Sequence, residues 1–84
     1  MITKDEAYDI IFNINEEAHQ YTWQLWEEAG DDEELLEEAS FQQQEAFRDD
    51  FYMLDDDIQE DIWHYVANDK DFEEEFLAWY GKDD

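Results

Sequence analysis

Along the first third of the chain, apolar or small residues recur at Ala7, Ile11, Ile14, Ala18, Tyr21, Leu25 and Ala29. Steps of three and four residues trace one face of an α-helix for about seven turns. Thr3-x-x-Glu6 stands just before this stripe. In such a capping box the hydroxyl accepts from one free backbone N–H and the Glu reaches back to another. Gly30 follows the last apolar position, where a left-handed turn closes a helix. Ile10, Phe12, Thr22, Trp23 and Trp26 widen the apolar surface. Between Ile10 and Trp26 only Glu16 and Glu17 are acidic, so Lys4 to Ala29 is expected to be a central helix wrapped by acidic elements. Asn13-Ile14-Asn15 is the place where it can kink or divide, because Asn is a poor interior helix former.

The same period continues downstream. Asp31-x-x-Glu34 reads as a second capping box, with Leu35, Leu36 and Ala39 turned inward. Ser40-x-x-Gln43 predicts a bend near Ser40. Phe47, Phe51, Leu54 and Ile58 keep helical spacing until Asp55-Asp56-Asp57 interrupts, and Asp56-x-x-Gln59 marks a new start. Ile58, Ile62, Tyr65 and Val66 line the next face, and Asn68 to Asp71 is a turn. Asp71-x-x-Glu74 opens a last helix with Phe72, Phe76, Leu77 and Tyr80 inward, stopped by Gly81. Strand alternation is hard to find and proline is absent. The expected fold is all-α, a compact single domain of about four or five helices around a long N-terminal one.

A single domain of 84 residues is marginal unless its core is rich. Six Phe, five Tyr and four Trp supply that richness and exclude a disordered acidic tail. Charge changes the picture most. Twenty-eight Asp and Glu face four Lys and Arg, a net charge of −24. Such a surface repels itself and destabilises the compact state. Either the surroundings screen it, as in a halophile, or a partner needs it. Nucleic acid and anionic membrane are polyanions and make poor partners; a basic protein is the natural complement. Cysteine is absent, which removes disulfides and thiolate sites. Neither a signal peptide nor a run of about 20 apolar residues is visible, so the expected location is the cytoplasm.

The acids fall into runs. The first is Glu27, Glu28, Asp31, Asp32, Glu33, Glu34, Glu37 and Glu38. The second is Asp49, Asp50, Asp55, Asp56, Asp57, Glu60 and Asp61. A third is Asp69, Asp71, Glu73, Glu74 and Glu75. Lys4, Arg48, Lys70 and Lys82 are too few to pair them. Capping explains Asp31, Asp56 and Asp71, since an anion is favourable at a helix N-terminus. Carboxylates at i and i+4 rise about 6 Å apart along a helix. Two steps along one DNA strand rise about 6.8 Å. A helix face studded with Asp and Glu thus approximates a row of phosphates, the groups through which DNA-holding proteins gain most of their affinity. The mimicry requires an ordered ridge; an even scatter over every side would remove the argument.

In composition across its whole length the chain resembles small acidic DNA-mimic inhibitors of viruses and plasmids. These are anti-restriction proteins, nuclease and repair-enzyme inhibitors and some anti-CRISPR proteins. The resemblance implies a function class and no particular target. It implies a protein that fills the basic nucleic-acid cleft of a host protein. Separately, the residues lead to the expectation of a non-enzyme with no direct nucleic-acid binding, a monomer or, by pairing of the long first helix with its copy, a homodimer. The alternative is an acidic interaction module or chaperone for a basic protein. The first two acid runs are the expected contact surface. Burial accounts for two or three of the Trp residues; Trp26, beside the densest run, and then Trp79 are the candidates for an interfacial anchor.

Other chemistry has little to work with. Glu16-x-x-His19 and Asp61-x-x-His64 have the spacing of di-iron bundle ligands. In a chain this acidic, a carboxylate three residues before a His is an ordinary coincidence. Counting from Asp55, position six of an EF-hand loop is Glu60 where glycine is required. Ser40 is the only serine, and no glycine-rich phosphate loop occurs. No cofactor or metal is expected.

Overall fold

The computed structural model describes residues 1–81. Four helices follow in order: α1 (Lys4–Ala29), α2 (Glu33–Tyr52), α3 (Asp56–Asn68) and α4 (Lys70–Tyr80). The all-α expectation is met with the smaller helix count. α1 runs unbroken through Asn13-Ile14-Asn15. Its 26 residues rise about 39 Å, nearly the full 41 Å of the long axis, while the other two extents are 21 Å each.

The Thr3 hydroxyl accepts from the Glu6 N–H at 3.1 Å, and the Thr3 N–H donates to the Glu6 carboxylate at 3.3 Å, completing the box. Gly30 ends α1 at φ +54°. The other three starts fall one or two residues from their expected caps. Asp32, not Asp31, caps α2, accepting from Glu34 N–H at 3.0 Å and Leu35 N–H at 3.4 Å. Asp55 precedes α3 without a side-chain capping bond. Gln59 instead donates to the free carbonyls of Tyr52 and Leu54. Asp69 caps α4 through Phe72 N–H at 3.1 Å and is the whole junction between α3 and α4, where a four-residue turn was expected. The bend expected at Ser40 does not occur; α2 is one helix of 20 residues. Ser40 is half-buried on its inner side, and packing along α1 overrides the weak Ser-x-x-Gln signal.

The core lies at one end. Ala7, Ile11, Ile14 and Ala18 of α1 meet Phe47 and Phe51 of α2, Ile62 of α3, and Phe72, Phe76 and Tyr80 of α4. Rings dominate it: Phe51 stands edge-on to Phe76, Trp63 and Tyr80, with centroids 5.4, 5.6 and 6.2 Å away. Edge-to-face pairs of this kind add about 0.5–1.5 kcal/mol each beyond area burial. Chain start and α3 are clasped together. The Ile2 N–H donates to Asp61 at 3.0 Å, and the Tyr65 hydroxyl donates to the Ile2 carbonyl at 2.8 Å.

Beyond Ala18 and Phe47 the architecture thins to an arm formed by α1 and α2 running antiparallel. Its fully covered positions are Thr22, Ala29 and Ala39, all small, which lets two backbones approach closely. Here the expected stripe fails. Tyr21 is 83% exposed and Leu25 also lies at the surface, while Thr22 is buried and Trp26 half-buried. With α2 the principal neighbour of this half, the buried face follows α2. Leu35, expected inward, is exposed near the tip for the same reason. The C-terminal half of α1 is covered mainly by α2, with Ala78 and Trp79 of α4 reaching the hollow that Trp26 lines.

Gln43 ties the arm. Its Nε2 donates to Asn15 Oδ1 at 3.1 Å, its Oε1 accepts from Trp26 Nε1 at 2.8 Å, and the same oxygen lies 3.3 Å from His19 Nδ1.

Candidate acidic interface

The first acid run occupies the tip of the arm. Glu27 and Glu28 lie in the last turn of α1, Asp31 in the connection, Asp32 at the α2 cap, and Glu33, Glu34, Glu37 and Glu38 in the first turns of α2. All eight are exposed. The second run sits at the other end of α2. Asp49 and Asp50 belong to its last turn, and Asp55, Asp56, Asp57, Glu60 and Asp61 to the start of α3. Asp61 and Asp50 stand apart from the rest: Asp61 serves the N-terminal clasp, and Asp50 is half-buried against the α1 side of α2.

Helical phase connects the two runs. Opposite the face that buries Ala39, Phe47 and Phe51, α2 presents Glu34, Glu38, Phe41, Glu45, Asp49 and Tyr52, all exposed. Glu34 to Glu38 and Glu45 to Asp49 are i, i+4 steps of about 6 Å rise. Phe41 separates the two pairs, leaving a gap of about 10 Å between Glu38 and Glu45. This is a ridge, although carboxylates also populate the other three helices. Glu45 was missed in the sequence because it stands alone between the runs; the 3.6-residue period would have placed it.

Several carboxylates sit where they oppose stability. Glu27 and Glu28 close α1, and Asp49 and Asp50 close α2, at ends that already carry partial negative charge. None of the four helices has a basic residue in its last turn. Among the described residues Lys4–Asp69 is the single ion pair, and Lys82 lies outside them. The hydrogen bond from Lys4 holds the Asp69 carboxyl below the usual carboxylate range, helped by the Phe72 N–H; the same bond holds the Lys4 ammonium above its ordinary value. Burial, with the Asp69 charge nearby, pushes the Tyr8 hydroxyl up.

No known protein family, curated protein or solved structure matches the chain.

The tryptophans divide differently from the expected order. Trp26 is held by Gln43, and Trp79 packs edge-on to Phe12 at 4.9 Å and near Phe47 at 6.2 Å. Trp23 on α1 and Trp63 on α3 are the more exposed pair. Among the described residues no group of His, Asp and Glu is arranged to hold a metal ion. His19 meets Gln43 and His64 meets the Asn68 side chain, so both are engaged with amides. No described helix is long and apolar enough to cross a membrane.

Proposed function

We propose that this protein is a DNA-mimic inhibitor, a rigid acidic decoy that fills the basic nucleic-acid cleft of a host nuclease, restriction enzyme or Cas effector. One observation carries the reading: 28 acids against four bases, with carboxylates kept at helix C-termini where they weaken the fold. A charge held against stability implies a use outside the molecule. The ridge on α2 supports a phosphate-like register, and the aromatic core gives it a firm base. The protein carries out no chemistry in this reading. Opposite charges steer association, which makes it fast and sensitive to salt.

The spread of carboxylates over all four helices favours a second reading, an acidic module that holds a basic protein without imitating DNA. Competition separates the two. A partner is captured on the immobilised protein and identified by mass spectrometry, and duplex DNA is then added to the purified pair. Mutual displacement is the expected result; a stable ternary complex refutes mimicry. The quadruple variant Glu34→Gln, Glu38→Gln, Glu45→Gln, Asp49→Asn is expected to lose inhibition. Neutralising Asp71, Glu73, Glu74 and Glu75 on α4 removes equal charge and is expected to preserve it. Equal losses in both variants would sink the assignment of α2 as the contact ridge.

A further inference from the structure

Beside the α2 ridge, an open hollow of 570 Å³ lies between α1 and the end of α2, lined by Glu17, Gln20, Tyr21, Asp50 and Met53. An adjoining hollow of 280 Å³ shares Tyr21 and Asp50 and adds Ala46 and Asp49. Tyr21 and Met53 are the most exposed large apolar side chains of the molecule, each 83% exposed. Asp50 is the opposite case: its Oδ2 is covered and has no hydrogen-bond partner. A covered carboxylate oxygen without a donor is uncommon and destabilising. Two of the described cations are engaged elsewhere, Lys4 on Asp69 and the Arg48 guanidinium 5.7 Å from the Tyr80 ring centroid.

The geometry points to a receptor for a single arginine side chain of the basic partner, seated between the Tyr21 ring and the carboxylates of Asp50 and Glu17. Each component suits a guanidinium. Its flat face stacks on an aromatic ring, its in-plane N–H groups fork onto a carboxylate, and its weak hydration eases entry beside a thioether. An ammonium gains only the charge. Gln20 offers a further acceptor through its amide oxygen. A fork of donors would supply the partner that Asp50 Oδ2 lacks once the carboxyl group turns to bring that covered oxygen to the hollow. The inference builds on the proposed inhibitor function by naming the side chain its partner presents, and it stands or falls by a separate measurement.

That measurement is an NMR titration of the whole protein, in moderate salt, with acetyl-Gly-Arg-Gly-amide and with its lysine twin. The arginine peptide is expected to shift Tyr21, Asp50 and Met53 signals and to bind about threefold or more tighter than the lysine peptide. Tyr21→Leu is expected to erase the preference for arginine. Asp50→Asn, nearly isosteric, is expected to weaken arginine binding about fivefold or more, while Glu74→Gln, which removes the same charge from α4, leaves it unchanged. Equal binding of the two peptides, shifts centred elsewhere, or an equal loss in Glu74→Gln would overturn the pocket. Failure of DNA to displace the captured partner bears on mimicry alone and leaves this result intact.

Discussion

Replacing Gln43 by Leu tests what holds the acidic arm in place. Leu keeps most of the side-chain volume and removes every polar contact. The bonds lost are those to Asn15 and Trp26, at 3.1 and 2.8 Å, with the longer approach of His19 at 3.3 Å. A typical intramolecular hydrogen bond contributes about 0.5–1.5 kcal/mol net. Two good bonds and one weak one therefore predict a loss of about 2 kcal/mol, with water partly replacing the half-exposed contacts. In a domain of this size each kcal/mol moves Tm by about 4–8 °C, so melting by circular dichroism should fall by about 10 °C. The loss should also be local. Amide exchange should accelerate from about Gln20 to Glu45, while amides beside Phe51 and Ile62 follow only the global change. The Trp26 indole N–H resonance should move towards that of a water-exposed indole. Inhibition should weaken although no carboxylate has been touched, because the ridge loses its fixed line. A Gln43→Leu variant that melts at or above the parent temperature, with unchanged exchange in the arm, would refute the idea that this amide secures it.

Other outcomes follow from the same physics. Tm should rise with added NaCl through screening of the net charge, yet the protein should already be folded in dilute buffer; unfolding there would favour the halophile alternative. Gly81 has φ +88°, and a Cβ there would lie 2.8 Å from the Gln44 side-chain oxygen. Gly81→Ala should therefore be destabilised by more than about 1 kcal/mol, and by more than Gly30→Ala, where the space is open; chemical denaturation gives both values. Asp69→Ala should lower Tm more than Asp69→Asn, since Asn still caps α4. The sign of the pH effect follows from the shifts. With its pKa lowered in the fold, Asp69 contributes stability that is complete above the usual carboxylate range and fades as pH falls through its depressed value. With its pKa raised, Lys4 contributes stability that is complete below about pH 10 and fades as pH rises through its elevated value. Comparing melts of the parent and Asp69→Asn across pH would expose both limits.

Where sequence and structure agree, several local signals point the same way. Thr3-x-x-Glu6, the apolar stripe and Gly30 all specify α1, and the run continues through its two asparagines. Phe72, Phe76 and Tyr80 keep a strict four-residue step and all reach the core. Caps were harder to place because acids adjoin: in Asp31-Asp32 either carboxylate can cap, and which one does depends on the chain path out of Gly30. Tyr21, Leu25 and Leu35 were misplaced for a tertiary reason. An apolar position is buried only where a neighbour covers it, and their spacing cannot reveal that the core stops short of the arm. The acid runs were visible as runs, but the ridge was not, because Glu45 joins it through helical phase and not through adjacency.

The N-terminal clasp has a kinetic consequence. Ile2 finds its partners at Asp61 and Tyr65, and Lys4 finds Asp69, across sequence separations of 59, 63 and 65 residues. On a ribosome those partners emerge late, so the first residues stay loose while the α1–α2 hairpin, with its nearer contacts, can already zip together. Long loops close last because their entropy is spent before any contact repays it. Refolding should thus begin at the hairpin and finish at Ile2, with the acidic tip presented before Ile2 docks on α3.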